Sequence, residues 1–510
     1  MHRPTKPLAL FTSIAAFTFG ATASAETYQV SPTGEHASIQ ELMDTVTLLP
    51  GDIVEVEGDH LYPGDLWLRE EAAGDAGAPI TFRGIRKNGK RPALEGVGTE
   101  EYHDMVLFLA ANHLVFEGFE IIGSDDPAHT CIITQGHEIV VRDVYVHGCE
   151  GHGLLATDWG TGNLTVEYSD FTDNGSGDYK HQVYVTTDQE MYPGSSVRIQ
   201  FNYIHDPSGG LNIKSRAERT EIYFNWIEAA VLNDIDLVGP DAAADDARED
   251  SDVVGNVIVH TSEYAALRIG DDGTNGTDGR YRIAYNTIVF DGSDGVAIRP
   301  QINIESLEIY NNAFLTTNGA APRFYRLTDY SGSDPIVMGS HNFIDAAFTD
   351  VPPEISGTLA GDPGLVDLSA MDLRLVDGSM LVDAGNDSSV GPGNTVPSPL
   401  TTVDYVPVPR TEPTNEMPYA RNDEGAPDIG AYALGSGTEP GPGGPPPEGN
   451  GGPGSSGSAG NGNGNGSGSS EGGDAGEGCA CATAGTKTGS RWGWLAALAP
   501  LALVERRRRR

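Results

Sequence analysis

The most regular feature of the chain is a short apolar motif built around an asparagine, as in Ile199-Gln-Phe-Asn202-Tyr-Ile204 and Ile222-Tyr-Phe-Asn225-Trp226. Aligned on that asparagine, the motif recurs at Asn256, Asn286, Asn312 and Asn342, and Phe119, Val144 and Ser169 fill the same slot upstream. The mean step between slots is about 28 residues, inside the range that marks stacked repeats. About ten residues after a slot comes a second short run: Gln182-Val-Tyr-Val-Thr186, Gly210-Leu-Asn-Ile-Lys214, Asp234-Ile-Asp-Leu-Val238, Ala266-Leu-Arg-Ile-Gly270 and Gly295-Val-Ala-Ile-Arg299. Period-2 alternation puts one side of such a strand inward and the other in solvent. One coil cannot bury its apolar side alone, whereas coils stacked about 4.8 Å apart build a continuous core from equivalent positions. The asparagines suit this geometry, because Asn tolerates the left-handed turn conformation and its amide can bond the amides above and below. Six copies down one edge read as a structural ladder rather than a row of ligand-binding amides.

The flanks carry further signals. Tyr28-Gln-Val-Ser-Pro-Thr-Gly34, the amphipathic stretch Ile39 to Leu49, Pro50-Gly-Asp-Ile-Val54 and Ala78-Pro-Ile-Thr-Phe-Arg-Gly84 resemble the entry of pectate-lyase-like right-handed β-helix proteins. Asp362-Pro-Gly-Leu-Val-Asp367 and Pro427-Asp-Ile-Gly-Ala-Tyr432 resemble the segments that close such domains. With the repeats, the resemblance spans nearly all of 26–434. It implies an all-β fold, a single-stranded right-handed parallel β-helix (solenoid) with a short N-terminal capping helix; the sterics of parallel crossovers favour the same hand. The expected organisation is an N-terminal cap with the first coils over 26–110, then repeats and closing segment over 111–434.

Composition separates the ends from this body. Residues 1–25 carry Arg3 and Lys6, an apolar run from Leu8 to Ala21 and then Ala23-Ser24-Ala25, the layout of a cleavable secretory signal. Residues 435–478 are almost wholly Gly, Ser, Pro, Asn and acidic residues, with nothing apolar to bury, and read as a disordered linker. Residues 479–510 hold Cys479-Ala-Cys481, an apolar run from Trp492 to Val504 and Arg506 to Arg510. That run is shorter than the roughly 20 residues of a membrane span. The three elements together resemble the MYXO-CTERM tail of myxobacterial surface proteins. The resemblance implies a sorting protease as partner and delivery to the outer surface of a Gram-negative, myxobacterium-like cell; a marginal membrane anchor is the other reading. Cys131 and Cys149 are the cysteines of the body, either a disulfide allowed by an oxidising compartment or two small buried apolar residues.

The formal net charge is −42, from 73 acidic and 31 basic residues. Nucleic acid is therefore not an expected partner, since backbone binding needs a basic surface. An acidic glycan would have to meet a local basic patch within a repulsive field. The second strands offer one. Aligned by their apolar pairs, one outward column reads Tyr184, Asn212, Asp236, Arg268, Ala297 and its neighbour Thr186, Lys214, Val238, Gly270, Arg299. Removing the proton beside a uronate carboxylate takes a base, plus cations that hold the carboxylate and stabilise the enolate-like charge. Lys214, its pKa lowered by neighbouring arginines, fits the base, with Arg216, Arg268 and Asp236 completing the catalytic group. His181, Tyr184, Asn212 and Arg299 are candidate substrate contacts, and His152 stands at the equivalent turn to His181. Asn212-Ile-Lys214-Ser215 resembles the Asn-Lys-Ser motif of the chondroitinase B and alginate lyase family, in which the lysine is the catalytic base. That family places its assisting arginine at the end of the next coil's strand, where this chain has Val238.

Two acidic loops raise the question of a metal. Asp271-Asp-Gly-Thr-Asn275-Gly-Thr-Asp278 alternates oxygen donors with glycines, so Asp271, Asp272 and Asp278 are weak candidate Ca²⁺ ligands, without the full spacing of a Ca²⁺ loop. The stretch from Asp241 to Asp252 is acidic without such alternation, and solvation explains both loops equally well. No nucleotide loop, nucleophile elbow, zinc spacing or dinucleotide fingerprint occurs. Two function classes remain open. One is a surface-displayed, monomeric polysaccharide lyase-like protein acting by β-elimination, with a paired-carboxylate glycoside hydrolase a weaker variant. The other is a non-enzymatic adhesin or glycan-binding protein on the same sheet.

Overall fold

The computed structural model describes residues 25–96, 105–123, 130–239, 248–270, 276–301, 304–327, 335–387, 391, 402–410 and 418–436. All but the last residue of the expected signal (1–25), nearly all of the linker and the tail lie outside these residues, as do Asp241, Asp245, Asp246, Asp271 and Asp272.

The chain winds as a right-handed parallel β-helix of about 10 turns with very little helix. Each coil contributes one short strand to each of three sheets. In one coil, Ser196–Gln200 lies in sheet 1, Tyr203–Ile204 in sheet 2 and Ile213–Arg216 in sheet 3, before Arg219–Tyr223 returns to sheet 1. Among the described residues the sheets hold 13, 11 and 10 strands, and every pairing in them is parallel. Exact stacking follows from side-chain period. In sheet 1, Val141, Val166, Ile199, Ile222, Val253, Ile283 and Ile309 pair in one inward column, all almost fully buried. Burial of each such side chain contributes about 1.5–3 kcal/mol, so a register slip on any coil would forfeit a column position.

The turn from sheet 1 to sheet 2 holds the asparagine ladder. Each main-chain N–H and side-chain amide of Asn225, Asn256, Asn286 and Asn312 donates to the Oδ1 of the next asparagine, at 2.9 and 3.0 Å. Upstream, Val144 N–H donates to Ser169 Oγ, and Ser169 N–H to Asn202 Oδ1. One expectation changes: the asparagine itself is not left-handed. The residue before it is, at Phe201, Phe224, Gly255, Tyr285, Asn311 and His341 (φ 55–69°). That residue makes the corner, which turns the asparagine side chain into the buried ladder. Tyr168, Phe201 and Phe224 meet the cost of this conformation by stacking their rings at 5.1 and 5.2 Å. Gly255 ends the stack, since a Cβ there would lie 2.6 Å from the Phe224 ring.

The capping helix spans Ile39–Thr45. Ser38 caps it by accepting from Glu41 N–H, and Ile39 and Leu42 cover the first coil. It stops before Leu49 because Val46 already adopts an extended conformation. The closing segments lie along the side of the solenoid rather than over its end. Leu373, Leu375, Val406, Val408, Ile429 and Tyr432 pack on Tyr203, Trp226, Val257, Val289 and Leu315 of sheet 2. Gly430 N–H donates to Asn311 O, and Ala431 N–H to Thr287 Oγ1. Sheet 2 is thus covered, while the candidate site belongs to sheet 3.

Candidate functional site

On sheet 3, Val183–Thr186, Ile213–Arg216, Ile235–Val238, Ala265–Gly270 and Val296–Pro300 stack in that order. Their register places Tyr184, Lys214, Asp236, Arg268 and Arg299 opposite one another on five consecutive coils. Val183, Val185, Ile213, Ile235, Leu237, Leu267, Ile269 and Ile298 on either side are core residues, so alternation turns the column outward.

This register corrects the expected columns at two coils. Leu211 and Ile213 imitate the apolar pair Ile235 and Leu237, yet stacking pairs Ile213 with Ile235 and sets the small Ser215 beside Leu237. Val296 and Ile298 similarly imitate Leu267 and Ile269, but pair with Ala265 and Leu267. Lys214 and Arg299 therefore move into the column of Asp236 and Arg268, and Asn212 and Ala297 leave it. Asn212 is fully buried, with its amide donating to Glu228 O at 2.9 Å and reaching Asp234. It belongs to an internal polar chain that continues from Asp234 to His260, and it is not placed to touch a substrate.

Within the column the side chains are unequally exposed. Arg268 and Arg299 are half-buried, Lys214 is 8 % exposed and Tyr184 4 %. Asp236 is fully buried and accepts from both Nε and Nη2 of Arg268, a bidentate pair one coil apart. The Lys214 ammonium lies 5.2 Å from the centre of the Tyr184 ring. Arg216, expected to face substrate, is instead packed within the neighbouring column of Thr186, Val238 and Gly270. Its Nε donates to Tyr184 Oη at 3.0 Å and its Nη1 to Gly239 O, so it fixes the tyrosine. Beyond it lies Glu249, whose carboxyl burial pushes well above the ordinary range against the opposing charge of Arg216.

His152 and His181 extend the strip below Tyr184, with ring centres 5.5 and 5.7 Å from it. His181 N–H donates to Nδ1 of His152 at 3.1 Å, and Leu211 N–H to Nδ1 of His181 at 3.2 Å. An Nδ1 that accepts a main-chain N–H carries no proton, which leaves the proton on Nε2 and the ring neutral. Burial, then neighbouring Lys180 and Lys214 for His152, or His152 and Lys214 for His181, hold both rings well below the usual imidazole range. The repeat period places these two histidines one above the other, and Gly151-His152-Gly153 and Lys180-His181-Gln182 were the signal for it.

Cys131 and Cys149 form a disulfide in the buried core of the adjoining coils. Of the expected Ca²⁺ ligands, Asp271 and Asp272 lie outside the described residues and Asp278 is exposed. Among the described residues, no group of three or more His, Cys, Asp or Glu side chains is gathered to hold a metal ion.

No family model and no curated protein matches the chain. Among solved structures, the pectate lyase Pel9A superposes with a TM-score of 0.52 at 14 % identity, over 81 % of this chain and 97 % of that one. The likeness is one of fold. A PL6-family polysaccharide lyase from Pseudopedobacter saltans gives a TM-score of 0.44 at 13 % identity, covering 71 % and 99 %. XylC in complex with xylose gives 0.41 at 10 % identity, covering 66 % and 87 %. What the likeness to Pel9A shows is the right-handed parallel β-helix fold, and the chemistry rests on this chain's own residues.

Proposed function

We propose that this protein is a polysaccharide lyase-like β-helix that cleaves an acidic polysaccharide by β-elimination on the outward face of sheet 3. The observation that carries the reading is the column Lys214, Asp236, Arg268, Arg299: three cations and one acid on four consecutive coils of a chain with net charge −42. Lys214 would take the proton beside the uronate carboxylate, and Arg268 and Arg299 would face the carboxylate, with Asp236 orienting Arg268. The fold shared with a pectate lyase supports the same substrate class. The purified full chain, offered a panel of uronate polymers, should generate ultraviolet-absorbing unsaturated ends. Lys214→Ala should slow their formation by about 10²–10⁴-fold. No unsaturated ends from any polymer, or a rate untouched by the substitution, would refute the lyase.

A second reading, a glycan-binding adhesin, is favoured by the Asp236–Arg268 pair, which neutralises half of the column. Glycan retention without turnover is its signature. In either case residues 1–25 and 479–510 would deliver the protein to the outer cell surface, the latter through a sorting protease. The Cys131–Cys149 disulfide agrees with an oxidising compartment. Mass spectrometry of the surface-exposed chain tests this: intact residues 1–25 on that chain would overturn it.

A further inference from the structure

A β-elimination needs a base at C5–H and a proton for the departing O4, and sheet 3 presents a candidate for each on adjacent coils. Tyr184 pairs directly with Lys214, and the two are outward on the same face, about 4.8 Å apart along the stack. Arg216 Nε donates to Tyr184 Oη at 3.0 Å, so the phenol oxygen accepts on that side and its own proton points elsewhere. The same guanidinium stabilises the phenolate that remains once that proton is given away. His152 and His181 close the other side of the ring as neutral groups, so no carboxylate among them competes for the phenolic proton.

Resting on the lyase reading above, we propose that Tyr184 is the catalytic acid that protonates O4, and that the substrate is a uronate whose C5–H and C4–O4 bonds lie on one face of the ring. Groups on a single sheet face reach a sugar ring lying on it from one side only, so the elimination is syn. The C5–H pair becomes the C4=C5 double bond as Lys214 takes the proton, the C4–O4 bond breaks, and O4 takes the proton of Tyr184. Lys214 as ammonium then returns its proton to the Tyr184 phenolate, and the enzyme is restored with no oxidant, reductant or co-reactant. Glucuronate and mannuronate have the required syn arrangement. Galacturonate and guluronate place C5–H and O4 on opposite faces and demand groups on both sides of the ring.

The test offers the full chain polymannuronate, polyglucuronate, polygalacturonate and polyguluronate, and repeats the first two with Tyr184→Phe. The expected result is unsaturated ends from the syn polymers alone, with kcat reduced by about 10²–10⁴-fold in Tyr184→Phe and KM little changed. On a uronate bearing an aryl ether at O4, whose leaving group needs no acid, Tyr184→Phe should recover to within about tenfold of the unsubstituted protein. Unsaturated ends only from the anti polymers, a loss below about threefold, or an equal loss on the aryl ether would overturn the proposal while the lyase stands. No unsaturated ends from any polymer would remove the lyase and this inference together.

Discussion

Replacing Asn256 with Ala tests the ladder at its centre. Asn256 is fully buried; its Oδ1 accepts from Asn225 N–H at 2.9 Å and from the Asn225 amide at 3.0 Å. Its own amide donates to Ile222 O, Val254 O and Asn286 Oδ1. In Asn256→Ala the Asn225 amide keeps Ile199 O, and residue 256 keeps its main-chain donation to Asn286. The buried Asn225 N–H, however, loses its acceptor, at about 1–3 kcal/mol, and Ile222 O loses a donor at about 1 kcal/mol. The expected destabilisation is about 2–4 kcal/mol, equivalent to exchange of the Asn225 amide hydrogen roughly 30- to 1,000-fold faster. Asn256→Ser should cost less than Ala, because Ser169 performs the same acceptance for Val144 N–H in an earlier coil. Asn256→Asp should cost more at neutral pH, since a carboxylate can accept from Asn225 but meets Asn286 Oδ1 and Ile222 O without a proton to share. Hydrogen exchange at Asn225, with denaturant unfolding followed by circular dichroism, gives both readouts. Exchange altered by less than about fivefold, or Ser as damaging as Ala, would refute the claim that the ladder satisfies buried main chain rather than merely filling space.

Three further outcomes follow from buried charge and covalent closure. Cys131 and Cys149 close a loop with a sequence separation of 18, so Cys131→Ser/Cys149→Ser should lose about 3 kcal/mol in denaturant unfolding; a loss under about 1 would show that the loop is already ordered in the unfolded chain. The lowered pKa values of His152 and His181 mean that below about pH 6.5 the unfolded chain takes up protons the folded one refuses, so stability present above that pH is lost as pH falls, by up to about 1.4 kcal/mol per pH unit for each ring. His205 opposes this slope, because Asp170 and Asp206 raise its pKa against the effect of burial; His152→Asn, which keeps an acceptor but cannot titrate, should flatten the acid limb, and an unchanged limb would contradict the neutral assignment. Asp236→Asn should destabilise by about 1–3 kcal/mol by removing the charge that Arg268 pairs with, whereas Asp236→Leu/Arg268→Leu should recover most of it in thermal unfolding; equal loss in both variants would mean the pair itself is not the source.

How much of this was legible in the sequence depended on how local the signal was. The asparagine slots and the capping helix each sit in a short pattern that is legible within a few residues. The outward column of sheet 3 does not. It depends on which apolar residue of one coil rests on which of the next, across loops of unequal length. Gly210-Leu-Asn-Ile-Lys214 offers Leu211 and Ile213 as an apparent inward pair, because its true second inward residue is Ser215, too polar to advertise itself. The same substitution of signal occurs where Pro300 faces Ile269. Two-residue slips keep every side chain on its proper face, so hydrophobic alternation cannot expose them; only packing of whole coils does. The slip mattered for chemistry, since it separated Lys214 and Arg299 from Asp236 and Arg268.

The corrected register also explains how so acidic a chain can hold a basic site. In a solenoid, the nearest neighbour of a charge on its own face is the same position one coil away, so each column behaves as an independent electrostatic line. Sheet 1 uses this to cancel charge: Arg83 meets Glu117, Arg142 meets Glu167 and Arg198 meets Glu221, each with an N–O separation of 2.5–2.6 Å. Arg282 meets Asp252 in the same way. Sheet 3 departs from that alternation at Lys214, Arg268 and Arg299, with Asp236 between the first two. A single acid set between two cations at about 4.8 Å spacing relieves their repulsion and fixes the geometry of one, yet leaves the column with a net positive charge. Because the Debye length at physiological ionic strength is about 8 Å, an anion on this face is governed by that column rather than by the acids on the far side of the coil. The net charge of −42 therefore describes the molecule seen from a distance, and the sign that an anion on sheet 3 meets is set by four side chains whose spacing the fold dictates.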